Sequence, residues 1–111
     1  MDSSGLVQKK CVPCEGGVPP FTKEQIEEYK PAINPEWEVV EDGHKLKRKF
    51  KFKDFKEAMA FVNKVSGVAE EEQHHPNIEI FYNMVNLTLW THAIAGLSEN
   101  DFIMSAKIDL I

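Results

Sequence analysis

Hydrophobic and polar residues alternate along two stretches of this chain, and each alternation has the period of two that predicts a β-strand. In the first stretch one face carries Leu46, Arg48, Phe50 and Phe52, and the other carries the lysines at positions 45, 47, 49, 51 and 53. In the second stretch one face carries Val85, Leu87, Leu89 and Thr91, and the other carries Asn86, Thr88, Trp90 and His92. We therefore expect each strand to bury one face against a core.

Each of these strands has a predicted hairpin partner. Residues 37–40 favour a strand, and Asp42-Gly43 in the turn that follows is a typical hairpin signal. Residues 77–81 favour another strand, which a two-residue turn separates from the strand over 84–91. The sequence therefore predicts two antiparallel β-hairpins.

Three helices are predicted around the hairpins. Thr22 and Gln25 form a capping box that begins a short helix. A longer helix over 54–72 has apolar residues at three- and four-residue steps, namely Phe55, Ala58, Met59, Val62, Val65 and Ala69. Ser98 caps the last helix, where Asp101 in the first turn is favourable to the helix dipole.

The element order is α-β-β-α-β-β-α, which predicts an α+β domain with a four-stranded antiparallel sheet and helices packed on one face. We assign this domain to residues 21–111. Residues 1–20 contain several glycines and prolines and lack apolar periodicity, so we expect a flexible N-terminal tail.

Composition excludes several classes of protein. The formal net charge of −5 argues against direct nucleic-acid binding, which requires a basic surface. No apolar run reaches the ~18 residues of a membrane span, and the N-terminus lacks the hydrophobic segment of a signal peptide. Two cysteines, Cys11 and Cys14, do not make a disulfide framework. We expect a cytoplasmic protein, with a nuclear or organellar location as alternatives.

The segment from Glu70 to His92 contains three of the four histidines in the chain. His74 and His75 follow the long helix, and Pro76 forces His75 into an extended conformation. Because hairpin-linked strands run antiparallel, the start of one lies beside the end of the other. The sequence therefore places His75 and His92 at the same edge of the sheet.

Three interpretations of these histidines compete. A metal site requires three or four convergent ligands, and adjacent histidines do not match the usual spacings. A structural role is the second interpretation, since imidazoles are favourable at helix C-termini. General acid–base chemistry is the third, and it fits best because imidazole titrates near neutral pH and neither Ser nor Cys stands beside a histidine here as a nucleophile.

A longer pattern of spacings resembles that of the pterin-4a-carbinolamine dehydratases. It consists of Glu70, three residues, His74-His75-Pro76, five residues, Tyr82, nine residues, His92, eight residues and Asp101. The likeness extends to Trp37, to residues 50–55 and to Ala95-Gly96-Leu97-Ser98, and it covers the chain from about Thr22 to the C-terminus. The chain departs from the family at Gln73 and Trp90.

The resemblance implies an enzyme, a 4a-hydroxytetrahydrobiopterin dehydratase that acts in tetrahydrobiopterin recycling. This hydro-lyase converts 4a-hydroxytetrahydropterin to quinonoid dihydropterin by histidine acid–base catalysis, without a metal or a cofactor. It implies that the catalytic residues are His74, His75 and His92, and that the substrate-binding residues are Trp37, Glu70, Gln73, Thr91 and Asp101. For Trp37 a place in the core is an equally good interpretation.

The alternative function is a non-catalytic binding module, because animal members of the family also serve as dimerisation cofactors of a transcription factor through the long helix. In this chain Phe61 and Val68 widen the apolar arc of that helix. We expect this flank to be buried between subunits of a homodimer or homotetramer, since an exposed apolar patch is unusual on a monomer.

Overall fold

The computed structural model describes residues 3–12 and 16–111, which form helices on one side of a four-stranded sheet. The elements are α1 (Ser3–Val7), α2 (Lys23–Tyr29), β1 (Glu38–Val40), β2 (Lys45–Lys51), α3 (Phe55–Glu72), β3 (Asn77–Phe81), β4 (Met84–Leu89) and α4 (Glu99–Ile108). Two 3-10 turns cover Lys30–Ala32 and His92–Ile94. The predicted α+β fold is confirmed. In these described ranges no helix has both the length and the apolar character needed to cross a membrane.

The sheet has the strand order β1-β2-β4-β3, and all neighbouring strands are antiparallel. β2 and β4 form its centre, with Leu46 opposite Leu89 and Phe50 opposite Val85. The inward residues Leu46, Val85, Leu87 and Leu89 are all fully buried. The predicted register is therefore confirmed, because a shift by one residue would have turned these side chains to the open face.

Local signals in the sequence are confirmed at both kinds of element. The hydroxyl of Thr22 accepts the backbone N–H of Gln25, whose side chain in turn accepts the N–H of Thr22, so α2 begins with the predicted capping box. The β1–β2 hairpin turns through Asp42 and Gly43, both of which have positive φ angles, as this kind of turn requires.

The apolar flank of α3 differs from the expectation. Phe61 is only 8% exposed within the single chain. Its ring centroid lies 4.5 Å from that of Phe50 and 5.0 Å from that of Phe52. Val68 is partly buried and packs against the same core. The expectation that this flank faces another subunit is therefore wrong for Phe61, because the rings of Phe50 in β2 and of Phe52 just after it cover this side chain.

The N-terminal region also differs from its prediction. Residues 3–7 form α1, which packs on α4 and fully buries Leu6. Two adjacent apolar residues, Leu6 and Val7, in a polar segment give no periodic signal, so the sequence pattern missed this helix. Cys11 is a free, half-buried thiol, whereas Cys14 lies outside the described residues. The mobility of residues 1–20 and the boundary at residue 21 stay predictions.

Asp109 fastens the end of α4 to the strands. Its carboxylate accepts the indole N–H of Trp37 at 2.8 Å, the guanidinium of Arg48 at 2.7 Å and the backbone N–H of Asn34 at 2.9 Å. The side chains of Arg48 and Asp109 are 16% and 15% exposed. Removing one partner of such a pair leaves the other charge poorly solvated, so this contact is a sensitive point of the fold.

We expect Asp109→Ala to lower the free energy of unfolding by about 3 kcal/mol, since it leaves the Arg48 guanidinium and the Trp37 N–H without their acceptor. Urea denaturation followed by circular dichroism measures this change. Glu71→Gln, at an exposed position of α3, is the matched control and should change stability little. Equal stability of the two variants would contradict the role given to Asp109.

Candidate active site

The three histidines lie around one cleft of about 470 Å³. Five parts of the chain meet there, namely the N-terminal segment, the C-terminus of α3, the start of β3, the segment after β4 and the first turn of α4. The lining residues are Val12, Gln73, His74, His75, Pro76, Asn77, Trp90, Thr91, His92, Ala93 and Asn100. The antiparallel β3–β4 pairing brings residues distant in sequence together at this edge, as expected.

The end of α3 sets the directions of the two adjacent histidines. Gln73 terminates the helix in the left-handed conformation, with φ of 53°. Such a residue reverses the chain direction at a helix end. Pro76 restricts His75, the residue before it, to an extended conformation. His74 and His75 consequently point to different partners.

His74 is held by a buried carboxylate. Its Nε2 lies 2.7 Å from Oδ1 of Asp101, and the two side chains are 13% and 0% exposed. Asp101 also accepts the hydroxyl of Thr91 at 2.9 Å and the backbone N–H of Ser98 at 2.9 Å. A carboxylate with these partners has a fixed position, so it fixes the orientation of the imidazole as well.

His75 is held more loosely. Its Nε2 lies 2.5 Å from Oε2 of Glu70, but the side chains are 55% and 69% exposed. Gln73 donates from Nε2 to the backbone carbonyl of Glu70 at 2.7 Å, which connects the helix end to this pair. An ion pair this exposed contributes little to stability. The contact with Glu70 therefore orients the His75 ring, which stays accessible to solvent.

His92 is placed by aromatic contact. It begins a 3-10 turn instead of ending β4, and it is exposed. Its ring stacks on that of Trp90, with centroids 4.2 Å apart and an interplanar angle of 11°. The ammonium of Lys45 lies 4.2 Å from the Trp90 ring centroid. Among the described residues no hydrogen-bond partner contacts either ring nitrogen of His92, so both are open to a ligand.

Some expected site residues lie elsewhere or act indirectly. Trp37 is fully buried, donates to Asp109 and does not line the cleft, so its position favours the core interpretation over substrate binding. Asp101 and Thr91 are 0% and 3% exposed and are engaged with each other. They therefore position His74 and the cleft wall and have little surface for a ligand. Gln73 is exposed and lines the cleft, whereas Glu70 is exposed outside the lining and reaches the site through His75.

Two cleft residues, Val12 and Asn100, were missed by sequence reasoning. Val12 lies in the segment assigned to a flexible tail, and it reaches the site only because α1 packs on α4. Asn100 reads as an ordinary polar residue in the first turn of a helix. Neither position carries a local signal, because the contact between them spans 88 residues of chain.

Glu72 forms a second buried ion pair close to the histidines. Its carboxylate lies 2.7 Å from Nζ of Lys107 and accepts the backbone N–H of Cys11 at 2.8 Å. Burial acts to raise the pKa of Glu72, but the hydrogen bonds from Lys107 and from the Cys11 backbone outweigh it and hold that pKa below its ordinary value. Burial, together with the negative charge of Glu72, raises the pKa of the Cys11 thiol to about 12. Cys11 therefore stays protonated and is a poor nucleophile or metal ligand.

In residues 3–12 and 16–111, no group of three or more His, Cys, Asp and Glu side chains is arranged to hold a metal ion. Nε2 of His74 contacts Asp101 and Nε2 of His75 contacts Glu70, whereas the ring nitrogens of His92 have no hydrogen-bond partner among the described residues. The expectation that no metal or cofactor takes part stays a prediction, which is tested below.

Comparison with known proteins defines the class to which this fold and cleft belong. The family model described as pterin 4 alpha carbinolamine dehydratase matches residues 19–111, and the chain belongs to this family. A relative from Rickettsia canadensis is 50% identical over 104 residues, covering 94% of each chain, and carries the name pterin-4-alpha-carbinolamine dehydratase as a provisional assignment.

Two solved structures share the fold. A transcriptional coactivator/pterin dehydratase from Brucella melitensis is 34% identical with a TM-score of 0.76, covering 82% of this chain and 96% of its own. A pterin dehydratase-like protein described as a RuBisCO assembly factor of the alpha-carboxysome is 25% identical with a TM-score of 0.59. The match covers 68% of this chain and 87% of that protein. The resemblance inferred from the histidine spacing is confirmed.

The stability of the protein should depend on pH through Glu72. Its depressed pKa in the folded state gives a stabilisation that is present above the unfolded pKa of about 4.3 and is lost as pH falls through the folded pKa. We expect Lys107→Met to lower the free energy of unfolding at pH 7 by about 2 kcal/mol. The difference from wild type should shrink as pH falls through the depressed folded-state pKa of Glu72, below which Glu72 is neutral in both proteins.

Urea denaturation across pH 3–7 measures this dependence, with Lys64→Met as the control at an exposed position of α3. A difference between wild type and Lys107→Met that does not vary with pH would show that the ion pair is not its source.

The stack of Trp90 on His92 should be visible in solution. We expect the carbon-bound ring protons of His92 to resonate upfield of those of His44, which has no aromatic ring stacked on it and contacts the backbone carbonyl of Glu41 at 2.8 Å. Trp90→Ala should remove the upfield shift, and Trp90→Phe should keep part of it, because both changes act through the ring current. An unshifted His92 in the wild type would argue against the stacked arrangement.

Proposed function

We propose that the protein is a 4a-hydroxytetrahydropterin dehydratase, which releases water from the carbinolamine to give quinonoid dihydropterin in tetrahydrobiopterin recycling. The observation that carries the proposal is the convergence of His74, His75 and His92 around one cleft in a chain of the pterin carbinolamine dehydratase family. The relatives that carry this name cover nearly the whole chain.

The reaction is a proton transfer at two positions of one ring. An imidazolium gives a proton to the hydroxyl on C4a, the C4a–O bond breaks and water leaves. A neutral imidazole takes the proton from N5, and the N5–C4a double bond forms. One proton is given and one is taken, so the total protonation of the imidazole pair is unchanged, and proton exchange through solvent returns each imidazole to its starting state. Imidazole suits both steps because its ordinary pKa of about 6.5 lies near neutral pH.

The surroundings of the three imidazoles support different roles for them. His92 has both ring nitrogens open among the described residues, and His75 has one nitrogen on Glu70 and the other open. We assign the two proton transfers to this exposed pair. His74 is mostly buried with Nε2 on Asp101. When Nε2 carries the proton, Nδ1 of His74 is an acceptor of fixed orientation, which suits substrate binding.

The dimensions of the cleft agree with a bicyclic ligand. Its volume of about 470 Å³ lies in the range typical of small-molecule sites. Trp90, Pro76, Val12 and Ala93 add apolar surface to a lining that also carries polar side chains, and a flat heteroaromatic ligand favours contact with an aromatic ring such as that of Trp90. The side chain of Gln73, which is exposed and lines the cleft, is placed to hydrogen-bond the polar edge of a pterin.

A non-catalytic binding module is the second candidate, since a relative of this fold is described as a RuBisCO assembly factor. The sequence argument for it rested on the flank of α3, and Phe61 there is covered by the chain's own core. The intact set of three cleft histidines favours the enzyme. Assembly into a homodimer or homotetramer remains a proposal, and sedimentation at micromolar concentration tests it.

Replacement of His75 or His92 by alanine should lower turnover of freshly generated 4a-hydroxytetrahydropterin by about 100-fold or more, the scale of general acid–base assistance. Because the carbinolamine also dehydrates without a catalyst, the rate should fall towards that background. His44→Ala is the control, since His44 lies in the β1–β2 turn and does not line the cleft. A wild type with no activity above background would overturn the proposal.

A chelator separates acid–base catalysis from metal chemistry. We expect incubation with a strong chelator to leave wild-type turnover unchanged, because His74 and His75 are engaged with separate carboxylates and proton transfer by imidazole needs no metal. Full inactivation by the chelator, with recovery on addition of zinc, would mean that the histidines hold a metal.

A further inference from the structure

A pair of hydrogen bonds attaches the N-terminal segment, residues 3–12, to the first turn of α4. The side chain of Asn100 accepts the backbone N–H of Val12 at 3.0 Å and donates to the backbone carbonyl of the same residue at 2.7 Å. This two-point contact satisfies the backbone of Val12 as a neighbouring β-strand would. Asn100 is only 5% exposed, so the contact lies inside the protein.

A second attachment lies one residue earlier. The backbone N–H of Cys11 donates to the buried carboxylate of Glu72, which also binds Lys107. Glu72 and Asn100 lie beside the carboxylate–imidazole pair of the site, because Glu72 precedes His74 by two residues and Asn100 precedes Asp101. The elements that hold His74 therefore also hold residues 11 and 12.

Val12 is consequently placed at the cleft. Its side chain is 67% exposed although it belongs to an anchored backbone, and it lines the same cavity as the three histidines. The backbone of Val12 is fixed by hydrogen bonds, but its apolar side chain does not pack in the core. Val12 also precedes the family match, which begins at residue 19.

Residues 16–20 contact the turn that contains His92 and Ala93 and the residues just after it. A Cβ added at Gly16 would lie 3.3 Å from the carbonyl oxygen of Ala93, which also lines the cleft. A Cβ added at Gly96 would lie 2.5 Å from Pro20, so Pro20 packs directly on that glycine. The N-terminal part of the chain thus contacts the turn that carries His92 as well as α4.

We infer that Val12 is a ligand-contacting residue and that Asn100 is the positioning residue that holds it, so that the N-terminal segment completes the binding site. The inference rests on the proposed function for the identity of the ligand, a reduced pterin. Val12 presents an apolar wall to a part of the ligand that does not react. Such a wall acts on binding and leaves the proton transfers to the histidines.

Binding of a 7,8-dihydropterin, a stable relative of the product, tests the wall. Val12→Ala should raise Kd for this ligand and KM for the carbinolamine about fivefold, with kcat within about twofold, since the loss of apolar contact affects ground and transition states alike. Val18→Ala is the matched control, because Val18 is 57% exposed in the same part of the chain and does not line the cleft. Equal Kd values for the two variants would overturn the contact.

Hydrogen exchange tests the anchor without any ligand. In the free protein the Val12 amide should be protected, and Asn100→Ala should accelerate its exchange at least tenfold while raising Kd for the dihydropterin. Unchanged exchange of Val12 in Asn100→Ala would overturn the positioning role.

The two proposals fail in different ways. If the wild type binds no dihydropterin and turns over no carbinolamine while the Val12 amide is protected, the proposed function is wrong, and the ligand contact inferred for Val12 is wrong with it. If the wild type binds and turns over but Val12→Ala behaves as wild type, only the inference about Val12 is wrong.

Discussion

The arrangement of the site depends on one buried carboxylate. Asp101 is 0% exposed and is bound by His74, the Thr91 hydroxyl and the Ser98 backbone. A buried carboxylate without such partners would be expensive, so the partners and Asp101 stabilise each other. His74 follows α3, Thr91 follows β4 and Ser98 begins α4. One side chain therefore sets the distances between three elements and the width of the cleft that they enclose.

Helix α4 extends the same principle along its length. Four of its polar residues bind distant parts of the chain: Glu99 binds Lys9 and Tyr29, Asn100 binds Val12, Asp101 binds His74, and Lys107 binds Glu72. Asp109, just beyond the helix, binds Trp37 and Arg48. Most of this helix is buried, so these contacts lie where the loss of one partner is costly. The helix therefore acts as the support on which the N-terminal segment, the long helix and the sheet are assembled around the cleft.

The three imidazoles are held with unequal firmness, and this inequality suits the chemistry proposed for them. His74 has a buried carboxylate, His75 an exposed one, and His92 an aromatic ring with no hydrogen bond from the described residues. A group that orients a ligand benefits from a fixed position. A group that exchanges protons must also reach solvent between turnovers, and His75 and His92 are the exposed members of the set.

The hairpins, the sheet register, the long helix and the edge at which the histidines meet can be predicted from the sequence, because they follow from local periodicity, turn residues and antiparallel pairing. The partners of individual side chains depend on how the elements pack in three dimensions. The sequence shows that Phe61 and Trp37 are apolar residues in predicted elements. It does not show that the Phe50 ring packs on Phe61 or that Asp109 accepts the indole N–H of Trp37. Likewise no local pattern predicts that Val12 reaches the cleft, since contacts between residues far apart in the chain depend on how whole elements pack and carry no signal within a short window of sequence.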